Sequence, residues 1–154
     1  MSGPPESPQN ANTEQRRFGR VALLLRVVGV VDCLAVAVAF MPWPVIEQVH
    51  SLAATGELPR EPTVEYLVRS VSVLHAMFGA LLVLLSRDVL RYAELIRGLA
   101  KLACAAGVLL FVVDRQAGVP RWWAIAQSGG LIAIGLFLVI SLRAKPTGSG
   151  SDSE

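Results

Sequence analysis

The chain has 154 residues, a formal charge of +2, 53% hydrophobic residues and only 17% charged ones. With a mean hydropathy of +0.53, this excludes an ordinary soluble domain, where about a quarter of residues are charged. The small net charge, with no basic stripe interleaved with aromatics, speaks against a nucleic-acid partner.

The composition and the placing of the charges in tails and short connections point to an all-α fold: an integral membrane four-helix bundle with a short amphipathic helix on its outer surface. Residues 1–17 read as a disordered tail, because Pro, Ser, Asn and Gln dominate and nothing there can bury a core. Span 1 is expected over 21–41. Its basic flank and Ala37-Val38-Ala39 mimic a secretory signal. However, Arg26 and Asp32 interrupt the apolar run, which is longer than the roughly 7–15 residues of a signal core.

Pro42-Trp43-Pro44 ends span 1, with Trp43 placed as an interfacial anchor. Val45, Ile46, Val49, Leu52 and Ala53 then recur at helical spacing, predicting a surface amphipathic helix that Gly56 stops. Span 2 is expected over 63–86, with Thr63 as N-cap and Glu65 in the first turn. Arg87 to Arg91 is a tight connection, so span 3 (90–113) lies antiparallel beside span 2. Gly118-Val119-Pro120 turns the chain into span 4 (122–142), which opens on the anchors Trp122 and Trp123. Residues 144–154 read as a second disordered tail. Spans of this length suit a hydrocarbon layer of about 30 Å, which needs roughly 20 residues.

Arg16, Arg17, Arg20, Arg87, Arg91, Arg143 and Lys145 fall on one side and Arg60, Arg115 and Arg121 on the other. That bias predicts a multi-pass protein of the inner (plasma) membrane with both termini cytoplasmic. No internal repeat stands out, so an inverted-repeat transporter within this chain is not expected.

The ionisable residues inside the spans are the candidate site, because a charge at the bilayer centre costs about 2.5–3.5 kcal/mol. On span 2, Glu65, Arg69, Ser72, His75 and Gly79 share one face; on span 3, Glu94, Arg97, Lys101 and Cys104 do. Depth, counted at about 1.5 Å per residue, gathers Asp32, Arg69, His75, Lys101 and Glu65 into a central-to-outer cluster, with Gln127 at its edge. The same count sets Arg26 beside Glu94 as an inner pair. The expected pairings are Asp32 with Arg69 or Lys101, and Arg26 with Glu94. Two readings stay open: a polar spine that locks helix register, or a polar pocket. A closed, directly paired cluster marks the first, and a cavity lined by Asp32, Arg69 and His75 marks the second.

Cys33 and Cys104 sit in apolar runs without CxxC or metal-ligand spacing and read as small packing residues. A bis-histidine haem would need a second intramembrane histidine, and His50 is on the surface segment. There is no Gly-rich phosphate loop, HExxH or GxSxG, so no metal or cofactor is expected and the reading leans away from an enzyme.

The Arg26 to Asp32 span, the EYLVRS run of Glu65 to Ser70, the RDVLRY connection of Arg87 to Tyr92 and the GVPRWW turn of Gly118 to Trp123 resemble small bacterial four-helix membrane proteins, loosely the DoxX-like group. The resemblance covers about Phe18 to Leu142 and implies the four-span architecture. Members of the broader group are linked to redox or quinone-associated membrane functions, and this chain lacks the paired cysteines of a thiol-redox role. The expected partners are the lipid bilayer and a membrane protein or second copy. The alternative is a redox or carrier component whose pocket takes a quinone-like or other small molecule.

Overall fold

The computed structural model describes residues 8–52 and 58–143, with side chains from Glu14 onward. The described residues form α1 (Pro8–Leu34), α2 (Val36–Phe40), α3 (Trp43–Leu52), α4 (Pro62–Leu85), α5 (Ala93–Gln116) and α6 (Arg121–Ser141). Four helices are long and apolar enough to cross a membrane: Glu14–Phe40 through α1 and α2, then α4, α5 and α6. Their outward faces carry Leu74, Leu109 and Phe40, the last 83% exposed. In water such a surface would aggregate. In lipid it is the required one, because helices satisfy their backbone internally and can leave apolar side chains to the acyl chains.

Local chemistry sets the boundaries. Span 1 tightens where the amide of Ala35 bonds the Asp32 carbonyl (3.1 Å) and that of Val38 bonds Ala35 (3.0 Å), the short three-residue spacing that marks a hinge in a helix. It ends at Met41, held extended at φ −72°, ψ 140°, as a residue before proline must be. The N-cap of α4 is Glu61, also extended before a proline, and not Thr63; Pro62 takes the first helical position, where its missing N–H is no loss. After α5, Gly118 adopts φ +73°, while Val119 N–H bonds Asp114 O (3.2 Å) and Ala117 N–H bonds Val113 O (2.8 Å). The bond from Val119 is the 6→1 closure of a Schellman-type stop, with glycine at the left-handed position.

The first helix begins at Pro8, inside the stretch expected to be tail. Extending an existing helix adds one hydrogen bond per residue fixed. Arg17 also anchors it, donating to the carbonyls of Ser141 and, at 3.0 Å, Arg143. Residues 1–7 and 144–154, and the predicted stop at Gly56, lie outside the described residues.

The bundle is two antiparallel hairpins, α1–α2 with α4 and α5 with α6. Its buried core lies at the end of the α4–α5 turn, where Val21, Leu25, Leu82, Leu85, Ile96 and Leu138 meet. At that end Arg97 donates to the Leu142 carbonyl at 2.5 and 3.1 Å, neutralising the C-terminus of α6.

The hairpins repeat one packing. A Cβ on Gly79 would come within 2.5 Å of the Gly29 oxygen and 2.6 Å of the Cys33 nitrogen; one on Gly135 would come within 2.7 Å of the Ala100 oxygen and 3.2 Å of the Cys104 nitrogen. The Cys33 thiol lies 3.6 Å from the Ala76 carbonyl, and the Cys104 thiol 3.8 Å from that of Ile132. Each acceptor lies three residues before its glycine, on the same helix face. In this register Arg20, Ala22, Arg26, Cys33 and Phe40 align with Arg91, Ala93, Arg97, Cys104 and Phe111. Likewise Ser72, Gly79, Leu82 and Val83 align with Ser128, Gly135, Leu138 and Val139. Because α1 and α5 run the same way, the hairpins are related by rotation about an axis along the helices and are not inverted. This corrects the expectation of no internal repeat. The links inside the hairpins differ in length, 41–61 in one and 117–120 in the other, so no single period runs through the sequence.

Candidate functional site

Between the hairpins lies a partly open cavity of about 650 Å³ with walls from all four spans. That size is within the ~300–1,000 Å³ of small-molecule sites. Equivalent residues of the two hairpins face it together: Leu25 and Ile96, Val28 and Leu99, Leu82 and Leu138. Its hydrogen-bonding side chains are Asp32 from α1, His75 from α4 and Gln127 from α6.

Asp32 stands at the tightened turn where α1 ends, and its Cβ occupies the space left by Gly79, where an added Cβ would be 2.8 Å away. His75 Nδ1 is 2.9 Å from the Val71 carbonyl. A carbonyl only accepts, so Nδ1 carries the proton and Nε2 is an acceptor in the neutral ring. His75 is within electrostatic reach of Asp32, and the ion pairs among the described residues do not include either group.

The other sequence candidates are elsewhere. Arg69 pairs with Glu65 at 2.8 Å on its own helix and donates to the carbonyls of Ala39 and, at 3.3 Å, Met41. It therefore caps the end of span 1 instead of meeting Asp32. Matched depth was not enough: the guanidinium reaches helix-end carbonyls that have no partner of their own. Lys101 is exposed on α5, outside the cavity wall, which removes the other expected partner of Asp32. The expected pair of Arg26 with Glu94 is replaced by Arg97 with Glu94 at 2.6 Å. Arg97 is three residues from Glu94 on the same face, while Arg26 is exposed on another helix. So one part of the predicted cluster, Asp32 with His75, lines a cavity, and Glu65, Arg69, Lys101, Arg26 and Glu94 do not. Gln127, set only at the cluster's edge by depth, is a full member; its signal is an amide inside the apolar run of span 4.

The cysteines are free among the described residues and serve the helix crossings. No group of three His, Cys, Asp or Glu able to hold a metal occurs among the described residues.

At the α3 end, Glu47 receives both Nε and Nη2 of Arg60 at 2.6 Å, and the Trp43 indole at 3.0 Å. The Arg60 hydrogen bonds hold the Glu47 carboxyl below its ordinary range. The folded value is depressed, so this tether of α3 is present above the ordinary carboxylate range and is lost as pH falls through the lowered value. With Trp122 and Trp123 replaced by Phe, Trp43 fluorescence should titrate with a midpoint below the usual value of about 4.3. In Arg60→Ala the midpoint should move up toward it; equal midpoints would contradict the tether.

No family model, curated protein or solved structure matches this chain.

Proposed function

We propose that this protein binds one amphiphilic small molecule or lipid in the cavity between its hairpins. The apolar body would lie against Leu25, Leu82, Ile96 and Leu138, and the polar group against Asp32, His75 and Gln127. One observation carries the reading. The positions equivalent to Asp32 and His75 in the second hairpin are Ala103 and Leu131, which also face the cavity. That hairpin packs in the same way without an acid or an imidazole, so packing does not require them. An intramembrane acid that packing does not need is a functional group by default. The basic-residue bias supports a plasma-membrane protein with both termini cytoplasmic, and the DoxX-like resemblance is compatible with a quinone-like ligand.

Two neighbouring glycines give the test. Gly130 lines the cavity and Gly129 does not, and nothing lies within 4 Å of a Cβ added at either. Gly130→Phe adds a ring at the cavity wall, from a position where its first carbon meets nothing; Gly129→Phe adds the same ring at a position that does not line the cavity. Native mass spectrometry from mild detergent should show a bound molecule on the unaltered protein and on Gly129→Phe, and none on Gly130→Phe. Equal retention on both variants, or no bound molecule on any, would sink the proposal.

A further inference from the structure

We infer that the polar group held in this cavity is a protonated amine, which makes the ligand an amphiphilic organic cation. The inference rests on the cavity being a binding site and goes on to the chemistry of its polar end.

The wall offers acceptors. Asp32 contributes a carboxylate. His75 has committed Nδ1–H to the Val71 carbonyl, so the neutral ring presents Nε2 as a lone pair. The Gln127 amide offers a carbonyl oxygen as well as its N–H groups. No lysine or arginine lines the cavity. His75, the other titratable group on the wall, is within electrostatic reach of Asp32 but forms no ion pair with it. The arginines and the lysine that could have met Asp32 are used or placed elsewhere. Arg69 is on Glu65 and the end of span 1; Arg97 is on Glu94 and Leu142; Lys101 and Arg26 are exposed and off the wall.

A carboxylate in a low-dielectric setting needs a counter-charge. An ammonium brings that charge and several N–H donors. A quinone brings two carbonyl acceptors, which would face acceptors at Asp32 and Nε2. An alkyl carboxylate would set like charge against like. The polar groups also break the repeat between the hairpins, since Ala103, Leu131 and Val71 stand at the positions equivalent to Asp32, His75 and Gln127. The charge is therefore on one side of the cavity, which suits a molecule with one cationic head and an apolar body.

The test uses the full chain in nanodiscs with three probes of equal chain length: a decylamine, decanol and a decyl-substituted quinone. Binding is read by calorimetry after subtraction of empty discs. Decylamine should bind at least about tenfold tighter than decanol, the size of one charge-assisted hydrogen bond. That preference should vanish in Asp32→Asn and return in Asp32→Glu, and Gly130→Phe should abolish binding of decylamine. If decanol or the quinone binds as well as the amine and Gly130→Phe still blocks them, the amine is overturned and the binding site stands. If Gly130→Phe changes nothing for any probe, the site itself is overturned.

Discussion

Gly79→Ala should destabilise the protein by roughly 2–3 kcal/mol or more, the upper part of the range for overpacking a well-packed interior. The new methyl would sit 2.5 Å from the Gly29 oxygen, 2.6 Å from the Cys33 nitrogen and 2.8 Å from the Asp32 Cβ. Two of these are backbone atoms of α1, so no rotamer change relieves the contact and the helices have to part. Parting them removes the close backbone approach that holds helices together in lipid, where no hydrophobic drive replaces it. It also displaces Asp32, so ligand binding should fall along with stability. Gly98→Ala is the control, since nothing lies within 4 Å of a Cβ there. Unfolding by denaturing detergent should separate the two; equal midpoints would mean that the glycine crossing does not hold the first hairpin. Gly135→Ala should fall between them, because its nearest neighbour, 2.5 Å away, is the Cys104 thiol, which can rotate, although the Ala100 carbonyl cannot.

Asp32→Leu should raise stability and abolish binding. The acid has no ion pair among the described residues, so its removal breaks no direct charge pair. On insertion scales the change from Asp to Leu at a helix centre is worth about 3 kcal/mol in favour of the membrane state. A paired acid gives the opposite sign: removing one partner of a buried ion pair costs about 3–5 kcal/mol. The direction of the stability change therefore tells a site from a register lock. A destabilised Asp32→Leu that also fails to insert would return Asp32 to a structural role.

The architecture was legible because it follows from composition and periodicity. A bilayer demands long apolar runs with internally satisfied backbones, and those runs, their proline boundaries and the turn at Gly118 are written in the local sequence. Span ends expected at residues 41, 86 and 142 lie within two residues of the helix ends at Phe40, Leu85 and Ser141. Span 3 is displaced further, to Ala93–Gln116. There Asp88 accepts the Arg91 amide at 3.0 Å and the Asp88 carbonyl that of Tyr92 at 3.2 Å, turning residues that read as helix into a tight loop. The shared face of Glu65, Arg69 and His75 on span 2 was legible too, since helical spacing alone puts them in line, although of the three only His75 lines the cavity with Asp32.

Which of those groups meet was not legible. Depth along a helix is a local count, whereas a partner depends on helix rotation and on competing acceptors in the chain. Arg69, Arg97 and Arg17 all found helix-end carbonyls, which carry partial negative charge and which a search for opposite charges overlooks. The repeat was hidden for a related reason: its register is fixed by two glycine crossings between helices, and links of unequal length erase it along the chain. The sequence alone determines a four-span helical membrane protein with ionisable groups in its spans, because local propensity and the solvent decide that. Tertiary structure decided that Asp32, His75 and Gln127 line a cavity between two like hairpins, because close packing at Gly79 and Gly135 fixes how the two spans of each hairpin face one another.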